Sequence, residues 1–175
     1  MKNLVFNLKT GQRGFTLIEL TVALAIACVL GAGMGTLIFQ TSTTSASSTA
    51  RMVAVKQVES AVHWINRDAQ QAQKIEPQSA PDLLKLTWVS WEDDVTYVVT
   101  YTRSGQNLLR KYSVGGGFPA ISTVASFIDF SPSKTNCSYD FANHKLTLTI
   151  SSNTTSGGKQ ASETRISQII PRPGS

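Results

Sequence analysis

The stretch that decides the reading is Arg13-Gly14-Phe15-Thr16-Leu17-Ile18-Glu19-Leu20, with the apolar run behind it. From Leu20 to Phe39 there are twenty residues and no charge. At about 1.5 Å rise per residue, a helix of that length spans roughly 30 Å, the thickness of a bilayer's hydrocarbon core. Lys2, Lys9 and Arg13 precede the run with no acid among them, and only Arg51 follows soon after. That asymmetry predicts one span in the cytoplasmic membrane, with the N-terminus in the cytoplasm and the rest of the chain outside. An ordinary secretory signal fits poorly. The polar leader is long, the apolar run is too long, and no Ala-x-Ala site follows, although a cut among the Gln, Ser, Thr and Ala of residues 40–50 is not excluded by composition.

Glu19 is the anomaly. A carboxylate at the centre of a membrane helix costs roughly 2.5–3.5 kcal/mol on insertion scales, and less near an end. Two readings stand. Glu19 sits at the lipid interface and faces water, or it has a cationic partner. A cut between Gly14 and Phe15 would supply one, because the new α-amine of Phe15 would lie four residues before Glu19, about one helical turn away. The same amine could neutralise Glu19 on a neighbouring copy.

Gly14-Phe15-Thr16-Leu17-Ile18-Glu19-Leu20, behind a short basic leader and before an apolar helix, resembles the N-terminus of type IV prepilins and pseudopilins. The resemblance covers roughly residues 9–39 and matches at Gly14, Phe15 and Glu19. It implies cleavage after Gly14 by a dedicated prepilin peptidase, N-methylation of Phe15, and an inter-subunit contact by Glu19 during filament assembly.

Within the membrane segment, Gly31, Gly33 and Gly35 interrupt the apolar run, each at about 1 kcal/mol against Ala in a helix interior. They permit either close helix packing or local loosening. Residues 41–49 are Ser and Thr with one Ala, poor helix formers flanked by helical pattern. From Met52 the period of 3.6 returns. Val55, Val58, Val62, Ile65, Ala69 and Ala72 draw one apolar stripe, with Lys56, Glu59, Arg67, Asp68 and Gln71 mostly off it. The expected helix runs over 15–75, about 90 Å if continuous, and ends at Pro77 and Pro81. Strand patterns follow at 83–91, 95–103, 108–114, 121–130, 145–151 and 164–170. Polar turns lie at Glu92-Asp93-Asp94 and Ser104-Gly105-Gln106-Asn107, Gly115-Gly116-Gly117 reads as a loop, and 152–158 as a flexible polar loop. The predicted fold class is therefore α+β. A long N-terminal helix, transmembrane and then amphipathic, packs on a small antiparallel head. The expected division is leader 1–14, membrane helix 15–39, helix extension 40–76 and β-rich head 77–175, about 100 residues with a core of its own. A helix half in lipid and half on a globular head is the pilin shape.

Little in the head points to chemistry. Net charge is +5, but three of those positives lie in residues 1–14, so a chain starting at Phe15 carries +2. The sequence shows no clustered Lys/Arg face with interleaved aromatics, and no nucleic-acid partner is expected for the head. Cys28 and Cys137 lie too far apart in the pattern to pair, and no redox role is expected. His63 and His144 lack a second ligand at metal spacing. Gly115-Gly116-Gly117 lacks the Lys-Ser/Thr of a phosphate loop, and no nucleophile context surrounds any Ser. Glu92, Asp93 and Asp94 read as a solvated hairpin tip more than a cation site. Asn153-Thr154-Thr155 fits a glycosylation triplet that arises by chance in Ser/Thr-rich loops. Trp64, Trp88 and Trp91 read as core or interface. No catalytic residue, metal or cofactor is expected.

A second resemblance rests on shorter patterns. Gln57-Val58-Glu59-Ser60-Ala61-Val62-His63-Trp64-Ile65-Asn66-Arg67-Asp68-Ala69 looks like the segment before the head in J-type minor pseudopilins and W-type minor pilins. Tyr101 through Tyr112, with Leu108-Leu109-Arg110, is similar to a strand–turn–strand of that group. The resemblances imply a filament subunit of a type IV pilus, a type II secretion pseudopilus or a DNA-uptake filament, and a minor, initiating or tip, subunit among these. They imply a prepilin peptidase, other pilin-like subunits, and an assembly platform with a motor ATPase as partners, and the membrane and then an extracytoplasmic filament as location. The rival expectation is an uncleaved single-pass anchor presenting an extracellular β-rich binding module.

Overall fold

A computed structural model describes residues 14–171. The leader residues 1–13, with Lys2, Lys9 and Arg13, and Pro173 lie outside the described residues. The expected α+β class is what the structure has: one long helix and two antiparallel sheets. The chain divides into two compact units between Ser42 and Thr43.

Helix α1 (Leu17–Gln71) has 55 residues and runs unbroken through Gly31, Gly33 and Gly35 and through the Ser/Thr stretch. Hydroxyls there bond back to the helix's own carbonyls, Thr36 to Gly33, Thr41 to Leu37 and Thr49 to Ser45, at 2.8–2.9 Å. Its first part is exposed, apolar and long enough to cross a membrane by length and composition.

In the second unit the buried face of α1 is Ala50, Ala54, Val58, Ala61, Ile65, Asp68 and Ala69. Steps of three and four recur as expected, but the stripe is rotated from the one read in the sequence. Val55 and Val62 are only half-buried, Ala54 and Ala61 take the centre, and Asp68 is on the buried face rather than off it. Alanines let strands approach the helix closely, so the covering sheets choose the small side chains.

Five strands form one meander, β1 (Lys74–Pro77), β2 (Asp82–Val89), β3 (Thr96–Ser104), β4 (Asn107–Val114) and β5 (Ala120–Ala125), each paired antiparallel with the next. Gly105-Gln106 turns β3 into β4, and Gly105 takes φ +59°, a conformation glycine adopts without strain. A second meander joins β6 (Asn136–Asp140), β7 (Lys145–Ser156) and β8 (Lys159–Ile169). Leu84, Leu86, Val99, Tyr101 and Leu108 of the first sheet and Leu146, Leu148, Ile150 and Ile169 of the second share one core with Val58, Ala61 and Ile65 of the helix.

Several expected boundaries are corrected. The helix ends at Gln71, before either proline, because the chain is captured by a sheet edge. The Gln73 backbone N–H donates to the Thr87 carbonyl at 3.0 Å, and its side-chain oxygen accepts from the Val89 N–H at 3.1 Å. Ile75, expected in the helix, is buried in β1, and Pro77 closes that edge strand, where a missing N–H costs nothing. The expected strand at 121–130 stops at Ala125. Phe127 adopts φ +58°, and Ile128 then bridges to Ser152, joining the two sheets. The segment 152–158 is not a flexible loop: β7 runs to Ser156, and Gly157 and Gly158, both at positive φ, make the two-residue turn. Two of its polar residues, Ser152 and Thr154, are buried because they are bonded, while Thr155 is exposed. Ser152 Oγ donates to the Phe127 carbonyl at 2.9 Å, and Thr154 Oγ1 to the Ala50 carbonyl at 2.6 Å. β1 and β6 were not expected at all.

Candidate functional site

The N-terminal segment is built as a helix start. Gly14, Phe15 and Thr16 are exposed and outside any helix or strand, and α1 begins at Leu17. Thr16 is the N-cap: its Oγ1 accepts from the Glu19 backbone N–H at 3.4 Å. Glu19 reaches back, its Oε2 accepting from the Thr16 backbone N–H and hydroxyl, each at 3.4 Å. The reciprocal pattern is a capping box, and Phe15 and Leu20 stand at the positions of the hydrophobic staple. A carboxylate in the first turn also sits favourably on the positive end of the helix dipole. Glu19 therefore has local donors for its charge at the helix start, and the Thr-x-x-Glu spacing that builds the box is legible in the sequence. Among the described residues nothing lies within 4 Å of a Cβ built on Gly14, and Gly14 and Phe15 are both exposed.

A long apolar helix with an acid locked into its first turn, continuing onto a two-sheet antiparallel head, is a pilin-like architecture. Residues 9–35 match the family model of the prokaryotic N-terminal methylation motif. That motif is prepilin-type and supports a pilin- or pseudopilin-type function, with processing by a peptidase and assembly with other pilin subunits as its general implication. With the apolar helix it fits membrane anchoring. Comparison with curated proteins and with solved structures gives no match to the chain.

A second site was missed by sequence reasoning. Asp68 is 1% exposed and lies between helix and sheet. Its Oδ2 accepts from the Tyr101 hydroxyl at 2.6 Å and from Arg110 Nε at 2.6 Å, and its Oδ1 accepts from Arg110 Nη2 at 3.1 Å. Arg67 Nη2 stands 3.6 Å from Oδ1. A bidentate guanidinium and a phenol thus neutralise and satisfy a buried carboxylate, as burial of a charge requires. Burial and the Asp68 charge together push the Tyr101 phenol far above its ordinary range. Burial opposes the Arg110 charge, but Asp68 outweighs it and raises the guanidinium pKa. Arg110 and Arg67 both face the Trp64 ring, at 5.3 and 4.2 Å from its centroid. Beyond Arg110 the contacts continue across the sheet: Arg110 over Tyr112 at 4.9 Å, Tyr112 to Tyr97 at 6.1 Å, and Tyr97 to Trp88 at 5.7 Å with planes 6° apart. Register explains the row, because Trp88 pairs with Tyr97, Val99 with Tyr112 and Tyr101 with Arg110. The sequence showed no basic residues interleaved with aromatics; folding assembles them from α1, β2, β3 and β4. One signal was readable: Asp68 follows Ala61 and Ile65 by the stripe's own spacing.

The other singled-out residues are dispersed. His63 is exposed on α1 with an edge contact to Trp64, and His144 lies on the β6–β7 turn, 3.4 Å from the Tyr139 hydroxyl. Cys28 and Cys137 are free thiols, and burial pushes Cys137 up to about 11. Asn153 sits within β7, not in a loop, and its Oδ1 accepts from Gln160 Nε2 at 2.9 Å. Trp91 is 91% exposed, outside any core, at the β2–β3 turn beside Glu92, Asp93 and Asp94.

Proposed function

We propose that this chain is a pilin-like structural subunit, made as a prepilin, cut after Gly14, N-methylated on Phe15 and built by its N-terminal helix into a filament. The supporting observation is the methylation motif at residues 9–35, lying across the start of a membrane-length helix that continues into the head. On this reading Glu19 leaves its capping role to meet the Phe15 amine of a neighbouring subunit. A prepilin peptidase, sibling subunits, an assembly platform and a motor ATPase act on the chain. It is held in the cytoplasmic membrane with the N-terminus inside and then joins an extracytoplasmic filament of secretion, pilus or DNA-uptake type. Free Cys28 and Cys137, in place of the C-terminal disulfide pair common in many major pilins, support a minor subunit. The role is structural, not enzymatic.

Intact mass of the protein purified from cells with a working processing enzyme is the test. A chain beginning at N-methylated Phe15 is expected. A chain retaining Met1 would overturn the reading in favour of a tethered β-domain. Glu19→Gln refines the role of the acid, because Gln can still complete a capping box but carries no charge. Normal filament entry by this variant would remove the charge-pairing role.

A further inference from the structure

The β2–β3 turn carries an exposed tryptophan followed by three carboxylates, Trp91-Glu92-Asp93-Asp94. The turn is ordered by its own bonds. The Asp94 N–H donates to the Ser90 carbonyl at 3.1 Å, and the Val95 N–H to Asp93 Oδ1 at 3.3 Å. Among the described residues no ion pair involves Glu92, Asp93 or Asp94. This tip therefore presents three uncompensated negative charges beside a large apolar ring that water surrounds.

The opposite excess lies at the far end of the aromatic row. Arg67 and Arg110 share one carboxylate, and Asp68 already gives its short contacts to Arg110 and Tyr101. Arg67 is left with a 3.6 Å contact and half its side chain in solvent, laid against the Trp64 ring. A guanidinium backed by an indole is pre-organised to take a carboxylate edge-on. Between tip and cradle run Trp88, Tyr97 and Tyr112, each partly buried with part of its ring in solvent. Tryptophan, tyrosine and arginine are the residues that dominate protein–protein contacts.

We propose that two copies of this chain associate through this surface, the acidic Trp91–Asp94 tip of each seated on the Arg67–Trp64 cradle of the other. The two halves stand at opposite ends of one row of contacts, the cradle beside Arg110 and the tip three residues on from Trp88, and they carry opposite charge. A twofold axis crossing the aromatic row brings both tip–cradle pairs together at once, which is the isologous arrangement that closes a dimer. The contact covers Trp91 and lays the two aromatic rows against each other. Its charged ends weaken as salt rises. The proposal rests on residues of the second compact unit alone and does not depend on processing or filament entry.

The test uses the full chain in detergent, with Cys28→Ser and Cys137→Ser as background. One tagged copy carries Glu92→Cys and a second carries Arg67→Cys. Mild oxidation is expected to give the mixed disulfide at least fivefold above either copy alone and above a Lys134→Cys control. Glu92→Lys, on an exposed turn, is expected to weaken association at least tenfold, and Glu92→Lys with Arg67→Glu to restore it. A mixed disulfide no more abundant than the control, or association unchanged by Glu92→Lys, overturns the proposal. The latter would place self-association in the apolar helix.

Discussion

Asp68→Ala is the sharpest test of how the helix is fastened to the sheet. The substitution deletes three hydrogen bonds to one carboxylate, all charge-assisted and two of them from a guanidinium. It leaves the wholly buried Tyr101 hydroxyl without its acceptor, worth about 1–3 kcal/mol. It also leaves Arg110, whose side chain is 11% exposed, beside Arg67 with no counter-charge. Breaking a buried pair from one side costs about 3–5 kcal/mol. Because Arg110 can turn partly toward water, about 3–4 kcal/mol is expected. Against a typical stability of about 5–15 kcal/mol that is a large fraction. It corresponds to a melting point about 10–20 °C lower for a head of this size. Denaturant unfolding of the full chain in detergent, followed by tryptophan fluorescence, measures it. Asp68→Leu combined with Arg110→Met and Tyr101→Phe is expected to recover most of the loss, since an apolar replacement of a whole buried network is often tolerated. A cost below about 1 kcal/mol for Asp68→Ala, the worth of an exposed pair, would show that the network does not hold the helix.

The same network predicts an alkaline weakness. Tyr101 has its folded pKa raised, so its contribution is complete below the unfolded value near 10 and is lost as pH rises beyond it, by about 1.4 kcal/mol per pH unit. In melts from pH 9 to 11.5 in a Cys137→Ser background, Tyr101→Phe should fall less steeply above pH 10 than its parent; equal slopes would count against the buried phenol. Gly157 stands at φ +54°, and a Cβ there would meet the Ala46 Cβ at 2.8 Å. Gly157→Ala is therefore expected to cost about 1–3 kcal/mol, partly recovered by Ala46→Gly, as thermal melts of the single and double variants would show. Ile65→Ala empties a fully buried site at the centre of the shared core and is expected to cost about 2–5 kcal/mol in the same assay. Thr16→Ala removes the N-cap, and hydrogen exchange in the first turn of α1 should rise several-fold, corresponding to about 1 kcal/mol; unchanged exchange would argue that the box contributes nothing there.

By itself the sequence determined the ends of the argument. An uncharged run of membrane length, a basic leader and Gly14-Phe15-Thr16-Leu17-Ile18-Glu19 are local features, and local features carry their own meaning. Alternation and turn residues likewise predicted β2, β3 and β4, whose pairing runs between neighbours in the chain. What remained was decided by contacts distant in sequence. Gln73 and Ile75 left the helix because an edge strand stood ready to pair. Ser151, Ser152 and Thr154 went into the interior because Thr164, Phe127 and Ala50 supplied partners that composition does not reveal. Asp68 looked like a solvated charge until β3 and β4 brought Tyr101 and Arg110 against it, 33 and 42 residues along the chain. A buried polar group is stable only with its partners in place, and those partners are fixed by strand register and helix rotation, which exist only in three dimensions.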